Sequence, residues 1–165
     1  MKAKMFRALL PLAIVFTMVS CSSDTSEGSS TENKLVTTYN YNDTELRIVS
    51  LINDYRASIG LNRLEVINHI SYKSQEHNIY MIDNNLISHD YFQQRANNLV
   101  DVLGAKRVSE NIAYNYQTPE SAMSAWLNSP SHKDNIEGDF THFGISITVV
   151  ETTGKKYYTN MFIKK

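Results

Sequence analysis

Glu110 and His132 stand out in the stretch SENIAYNYQTPESAMSAWLNSPSHKDNI, residues 109–136. A glutamate in a β-like run is followed there by a helix and by a proline-stopped turn that ends in histidine. Such a layout either builds a polar cleft or closes a small core. Pro130 cannot continue the preceding helix, and it pushes Ser129 out of helical geometry. Ser129 can then cap a new short turn with Pro130 at its first position, which puts His132 near that turn's start. A helix N-terminus disfavours a positive imidazole, so His132 tends to be neutral and able to accept a proton or bind a metal. His69 and His77 stand eight residues apart on one predicted helix, about two turns, and form no close pair. His77 reads as a core or boundary histidine and His69 as a solvated one. The sequence holds no HExxH helix and no GxSxG elbow.

The elements that must position these groups are helices early in the chain and strands late in it. Asp43 can cap a helix with Glu45 in its first turn; Ile48, Leu51, Ile52, Tyr55 and Ile59 then recur at helical spacing as far as Gly60. A short link through Leu64 and Val66 follows. Asn68 can cap a second helix reaching about Asn85, apolar on two sides and therefore expected to be central. SHDYFQQRANNLVDVLG predicts a loop and a shorter helix ending at Gly104, and RVSENIAYNY predicts a strand. Thr118 caps the next helix with Pro119 at its first position; Ala122, Met123, Trp126 and Leu127 form its buried face. Phe143, Ile145, Ile147 and Val149, then Tyr157, Thr159, Met161 and Ile163, alternate on either side of TTGK and predict an antiparallel hairpin. Trp126, the only tryptophan, reads as core. The tyrosines of the strand regions read as strand formers. The pattern is α+β, with helices packed on an antiparallel sheet.

The start of the chain suggests an address. Lys2, Lys4 and Arg7 precede an apolar run from Ala8 to Val19, and Ser20-Cys21 follow; this is the layout of a secretory signal over residues 1–20. Ser20 before Cys21, the only cysteine, resembles a bacterial lipobox, so Cys21 is the expected lipidation site. A lone free thiol in an oxidising compartment is a liability, and two acyl chains give the stable anchoring that one cannot. Residues 21–40 read as a flexible polar tether and residues 41–165 as one domain. The sixteen basic residues less Lys2, Lys4 and Arg7 leave 13 against 17 acidic, a net charge of −4 for the mature chain. Without a cationic footprint, nucleic acid is not an expected partner.

LISHDYF (86–92), SENIAYNY (109–116), AWLNSPSHKDNI (125–136) and THFGISIT (141–148) stand in an order that resembles the CAP superfamily. This is the SCP domain of cysteine-rich secretory proteins, antigen 5 and pathogenesis-related 1 proteins, and the likeness is to its bacterial branch. The resemblance implies an α-β-α sandwich and a cleft lined by two histidines and two glutamates that sometimes holds a divalent metal such as zinc. On it, His89 looks like the first histidine, Glu110 like the glutamate of the Glu-Asn motif and His142 like the second histidine. His89 and His142 would be metal ligands. The place of the other glutamate holds Ser129, with His132 standing nearby instead, and Ser109 replaces the usual glycine before Glu110.

Two functions follow as expectations. Histidines plus a carboxylate can hold Zn²⁺ with an open position for water, and Glu110 would be the base of a metal-dependent hydrolase. The favoured alternative is a non-catalytic binding module for a lipid, a glycan or a protein, anchored in the cell envelope by its N-terminal lipid and facing out of the cytoplasm. The absent second glutamate counts against hydrolysis.

Overall fold

The computed structural model describes residues 34–165. The signal segment, Cys21 and most of the expected tether lie outside the described residues. The chain runs α1 (Asp43–Ser58), β1 (Glu65–Val66), α2 (Asn68–Asp83), α3 (Phe92–Leu103), β2 (Arg107–Tyr114), α4 (Pro119–Asn128), α5 (Pro130–Glu137), β3 (His142–Val149) and β4 (Lys156–Lys164). The strands form one sheet in the order β1-β3-β4-β2. Helices cover both of its faces, so the architecture is the α-β-α sandwich.

Local signals set most of the boundaries. The cap of α1 is Asn42 rather than Asp43: its side chain accepts from Glu45 N, and Glu45 reaches back to Asn42 N in a capping box. Gly104 ends α3 in the left-handed conformation, at φ 71°, that glycine adopts without a Cβ penalty. Thr118 caps α4 and Pro119 opens it; Pro130 opens α5, with His132 in its first turn.

The hairpin of β3 and β4 is antiparallel, as is the pairing of β2 with β4. The short link at Glu65–Val66 adds a parallel edge strand, its backbone bonded through Glu65 N to Thr141 O at 3.0 Å and Ile67 N to Phe143 O at 3.0 Å. The sheet is therefore mixed. Two residues are too few to show an alternation in sequence.

One face of the sheet packs Phe143, Ile145, Tyr158 and Phe162 against Ile48 and Ile52 of α1, Trp126 of α4 and Ile136 of α5. The other packs Met161 and Ile163 against Ile70 of α2 and Leu99 of α3, while Ile112 and Tyr157 meet Met81. Both faces of β4 are thus buried, which makes it the centre of the molecule. Gly144 lets α2 come down onto β3: a Cβ there would lie 2.4 Å from Ser71 N and 2.7 Å from the Ile70 carbonyl carbon.

The fold begins before residue 41. Val36 N donates to His69 Nδ1 at 3.1 Å and Asn68 Nδ2 to Thr37 O at 2.7 Å. The Tyr39 hydroxyl bonds Glu45 Oε1 at 2.8 Å and Ser146 Oγ at 2.9 Å. Residues 36–39, expected within the flexible tether, are a strap across α2 and β3. His69 is consequently 1% exposed rather than solvated, with Nε2 bonded to Asn98 Oδ1 at 2.7 Å.

Candidate functional site: a histidine–glutamate–arginine network beside a groove

The alternation along β2 aims Val108, Glu110, Ile112 and Tyr114 at the α2–α3 side, and Ser109, Asn111 and Ala113 at the α4–α5 side. Glu110 is therefore held on the outermost strand with its side chain 1% exposed. A carboxylate in that position needs hydrogen-bonded, oppositely charged company. Arg95, on the first turn of α3, supplies it: Nε donates to Oε2 at 2.9 Å and a terminal nitrogen to Oε1 at 2.8 Å, a two-pronged pair. A further Arg95 nitrogen donates to Asp90 O at 2.7 Å. Burial lowers the Arg95 guanidinium from its ordinary value, and the Glu110 carboxylate acts against that shift.

His89 stands on the loop that Arg95 ties down. Its Nδ1 lies 2.8 Å from Glu110 Oε1, while its side chain is 55% exposed. A carboxylate only accepts, so Nδ1 carries the hydrogen and Nε2 faces outward. His77, buried on α2, approaches Glu110 Oε1 to 4.0 Å, and its Nε2 donates to Ser88 O at 2.7 Å. Burial is the main reason its pKa is lowered. The core reading of His77 thus stands, with a second role of pinning the His89 loop.

His132 enters from the opposite wall, on α5. Asn111 Nδ2 donates to His132 O at 2.9 Å, and Asn135 Nδ2 donates to Glu110 O at 3.2 Å, so α5 is stitched to β2 at Glu110 and Asn111. Burial first, then the charge of His89, lowers the His132 pKa. The neutral form expected from its place near a helix start is favoured, with desolvation rather than the helix terminus as the leading cause.

His142 is not brought to this network. It opens β3, and β4 lies between β3 and β2. At about 4.8 Å per strand this separates the two backbones by about 10 Å. The ring turns the other way: Nε2 is 3.5 Å from Glu65 Oε2 on β1, and Nδ1 is 2.8 Å from Thr141 Oγ1. His89 and His142 do not face one another across this sheet, whereas one shared zinc would need a nitrogen of each at about 2.0–2.1 Å. Among the described residues, no group of three or more His, Cys, Asp and Glu is placed to hold a metal. The donors present do not fit one either. Both Glu110 oxygens are engaged by Arg95, and His77 points a hydrogen-bearing nitrogen at a carbonyl.

Two hollows run along β2. A groove of about 350 Å³ is lined by Ile87, Ile112, Tyr114, Tyr116, Trp126 and His132, with Ser129, Ala113 and Ala125 between them. A smaller hollow of about 240 Å³ lies among His89, Phe92, Val108, Ser109 and Glu110. Ile87 stands 51% exposed at the rim of the groove. Trp126 forms its floor and donates from Nε1 to Ile112 O at 2.9 Å, which caps a carbonyl of the edge strand. Arg95 is the site residue that motif reading missed. Its signal was a charge beside Ala96 and Leu99 on the buried side of a helix, a place that calls for an opposite charge.

Comparisons with known proteins agree with this architecture. Residues 49–162 match the family model described as CAP, the cysteine-rich secretory protein family. The uncharacterized membrane protein YlbC of Bacillus subtilis (strain 168) is 35% identical over 127 residues, 73% of this chain. The chain spans about a third of the length of that curated relative, 34%. An outer surface protein from Borrelia burgdorferi has a similar fold, with a TM-score of 0.68 at 24% identity over 79% of this chain and 99% of that one. An extracellular protein containing a SCP domain from Bacillus anthracis str. Ames matches with a TM-score of 0.63 at 26% identity, covering 78% of this chain and 45% of that one.

Proposed function

We propose, from the premise that this chain belongs to the CAP, or cysteine-rich secretory protein, family, that it is a non-catalytic binding module of the cell envelope. In this reading it faces out of the cytoplasm on a lipid attached to Cys21, and its ligand is a lipid, a glycan or a protein segment that lies in the groove along β2. The observation that carries the reading is the groove itself. It is open, walled by Ile87, Ile112, Tyr114 and Tyr116, and has the polar His132 and Ser129 at one side. Such a mixture of apolar wall and few polar groups is what a ligand site needs. The competing expectation, a hydrolase with Glu110 as base, asks that carboxylate to reach a water and take its proton. Its two oxygens instead accept from Arg95 and His89. No described helix is long and apolar enough to cross a membrane, so any anchoring of these residues needs another device.

Trp126, the only tryptophan, lines the groove and reports its occupancy. The mature chain is titrated with anionic phospholipid vesicles, with N-acetylglucosamine oligosaccharides and with a pool of unstructured peptides, and the emission of Trp126 is followed. One of the three is expected to give a saturable shift that Ala125→Arg, which fills the groove, abolishes. A response to none of them, or one that survives Ala125→Arg, would sink the reading.

A further inference from the structure

We infer that Arg95 is the resident cation of this site: its guanidinium takes the place a divalent metal would need and keeps the His89–Glu110 pair in a metal-independent form. The inference stands on the geometry around Glu110 and does not depend on what the groove binds. A buried carboxylate offers two oxygens. Here Oε2 accepts from Arg95 Nε, while Oε1 accepts both from a terminal Arg95 nitrogen and from His89 Nδ1. The pair is almost wholly out of water, at 8% and 1% side-chain exposure. A metal ligated by Glu110 would have to displace one prong of that fork and sit against a guanidinium it repels, with little solvent between them.

The surrounding donors point the same way. His77 is the next imidazole, and the nitrogen it brings within 4.0 Å of Oε1 is Nε2, whose hydrogen is given to the Ser88 carbonyl; its buried Nδ1 has no hydrogen-bond partner among the described residues. His142 turns to Glu65. His132 stands on the far wall of the groove, on α5. The charges that act on Arg95 are Glu110 first and then, at longer range, Asp90 and Glu76. Arg95 also does what a point charge does not. Its planar fork fixes the carboxylate's orientation while its remaining nitrogen holds Asp90 O, the residue next to His89. The result is a half-exposed histidine whose ring is set by a carboxylate and whose loop is set by the arginine behind that carboxylate. Arg95 is in this sense a positioning residue.

The test is zinc binding by the full mature chain, stripped with chelator and titrated by calorimetry, with metal content measured after dialysis. Wild type is expected to take up no stoichiometric zinc. Arg95→Gln, which removes the cation and frees the carboxylate, is expected to gain at least about tenfold in zinc affinity. The gain should vanish in Arg95→Gln combined with His89→Ala. If Arg95→Gln does not fold in chelator, zinc should restore its folded state by standing in for the missing charge. Stoichiometric zinc in wild type that His89→Ala abolishes would overturn the inference. So would a folded Arg95→Gln that gains nothing, or an unfolded one that zinc fails to restore.

Discussion

Trp126 joins three roles in one side chain. It is 1% exposed, packs edge-on to Tyr158 with centroids 6.5 Å apart, and caps Ile112 O. Trp126→Ala should therefore lower stability by about 3–5 kcal/mol, as expected for truncating a large buried aromatic. Trp126→Phe should cost less but leave the edge carbonyl of β2 unpaired, about 1–3 kcal/mol for that group. Urea denaturation followed by far-ultraviolet circular dichroism reads both; an unchanged midpoint in Trp126→Ala would mean that the side chain carries no core. The core role of Trp126 was legible from a capped amphipathic helix. Its second role, as floor of the groove, was not, because it depends on the distance from α4 to β2. Glu110 shows the same division. The Glu-Asn motif marks it, yet nothing in the residues flanking it tells that Arg95 pairs with it.

The strap formed by residues 36–39 is the element whose behaviour depends most directly on a proton. Val36 N–H is accepted by His69 Nδ1, so that nitrogen must be unprotonated, and Nε2–H donates to Asn98. Burial, the leading cause, lowers the His69 pKa; Asn98 and Glu76 pull it up and Lys73 pushes it down. The unfolded chain titrates near the ordinary value, about 6.5. With the folded value below that, the unfolded chain takes the proton first. The contribution to stability is fully present above about pH 6.5 and is lost as the pH falls from there through the lowered folded value. His77, His132 and His142 are lowered with burial as the leading cause and add in the same direction. The denaturation midpoint should fall between about pH 7 and pH 5.5, and the exchange protection of the Val36 amide should fall with it. A midpoint that is flat or rises on acidification in that window would contradict this. At α2 itself the close approach to Gly144 shows why the central helix sits where it does: backbone meets backbone with no side chain between.

At the scale of the whole molecule, the domain's long-range tie to a membrane is expected to be covalent. Cys21→Ala should move the protein from the membrane fraction to the soluble one, and mass spectrometry of the native N-terminus should find acyl chains on Cys21; an unmodified thiol there would end the lipid-anchor proposal. The sequence by itself determined the parts whose causes are local. Caps and breakers delimit helices within a few residues, which is why Thr118, Pro119, Pro130 and Gly104 fall where expected. Alternation along a strand shows the hairpin of β3 and β4. The four ordered motifs are local strings too, and the resemblance they carry implies the sandwich architecture. What only the tertiary structure decided are relations between segments far apart in the chain. Strand order β1-β3-β4-β2 puts β4 between His142 and Glu110, two strands from contact. The packing of α3 on β2 delivers Arg95 to Glu110, fifteen residues away in sequence. The strap crosses thirty-three residues to bury His69. Capping and alternation are set by interactions within a turn or two of the chain. The charge, burial and neighbours of a site are set by which surfaces close against each other, and no short stretch of sequence contains that information.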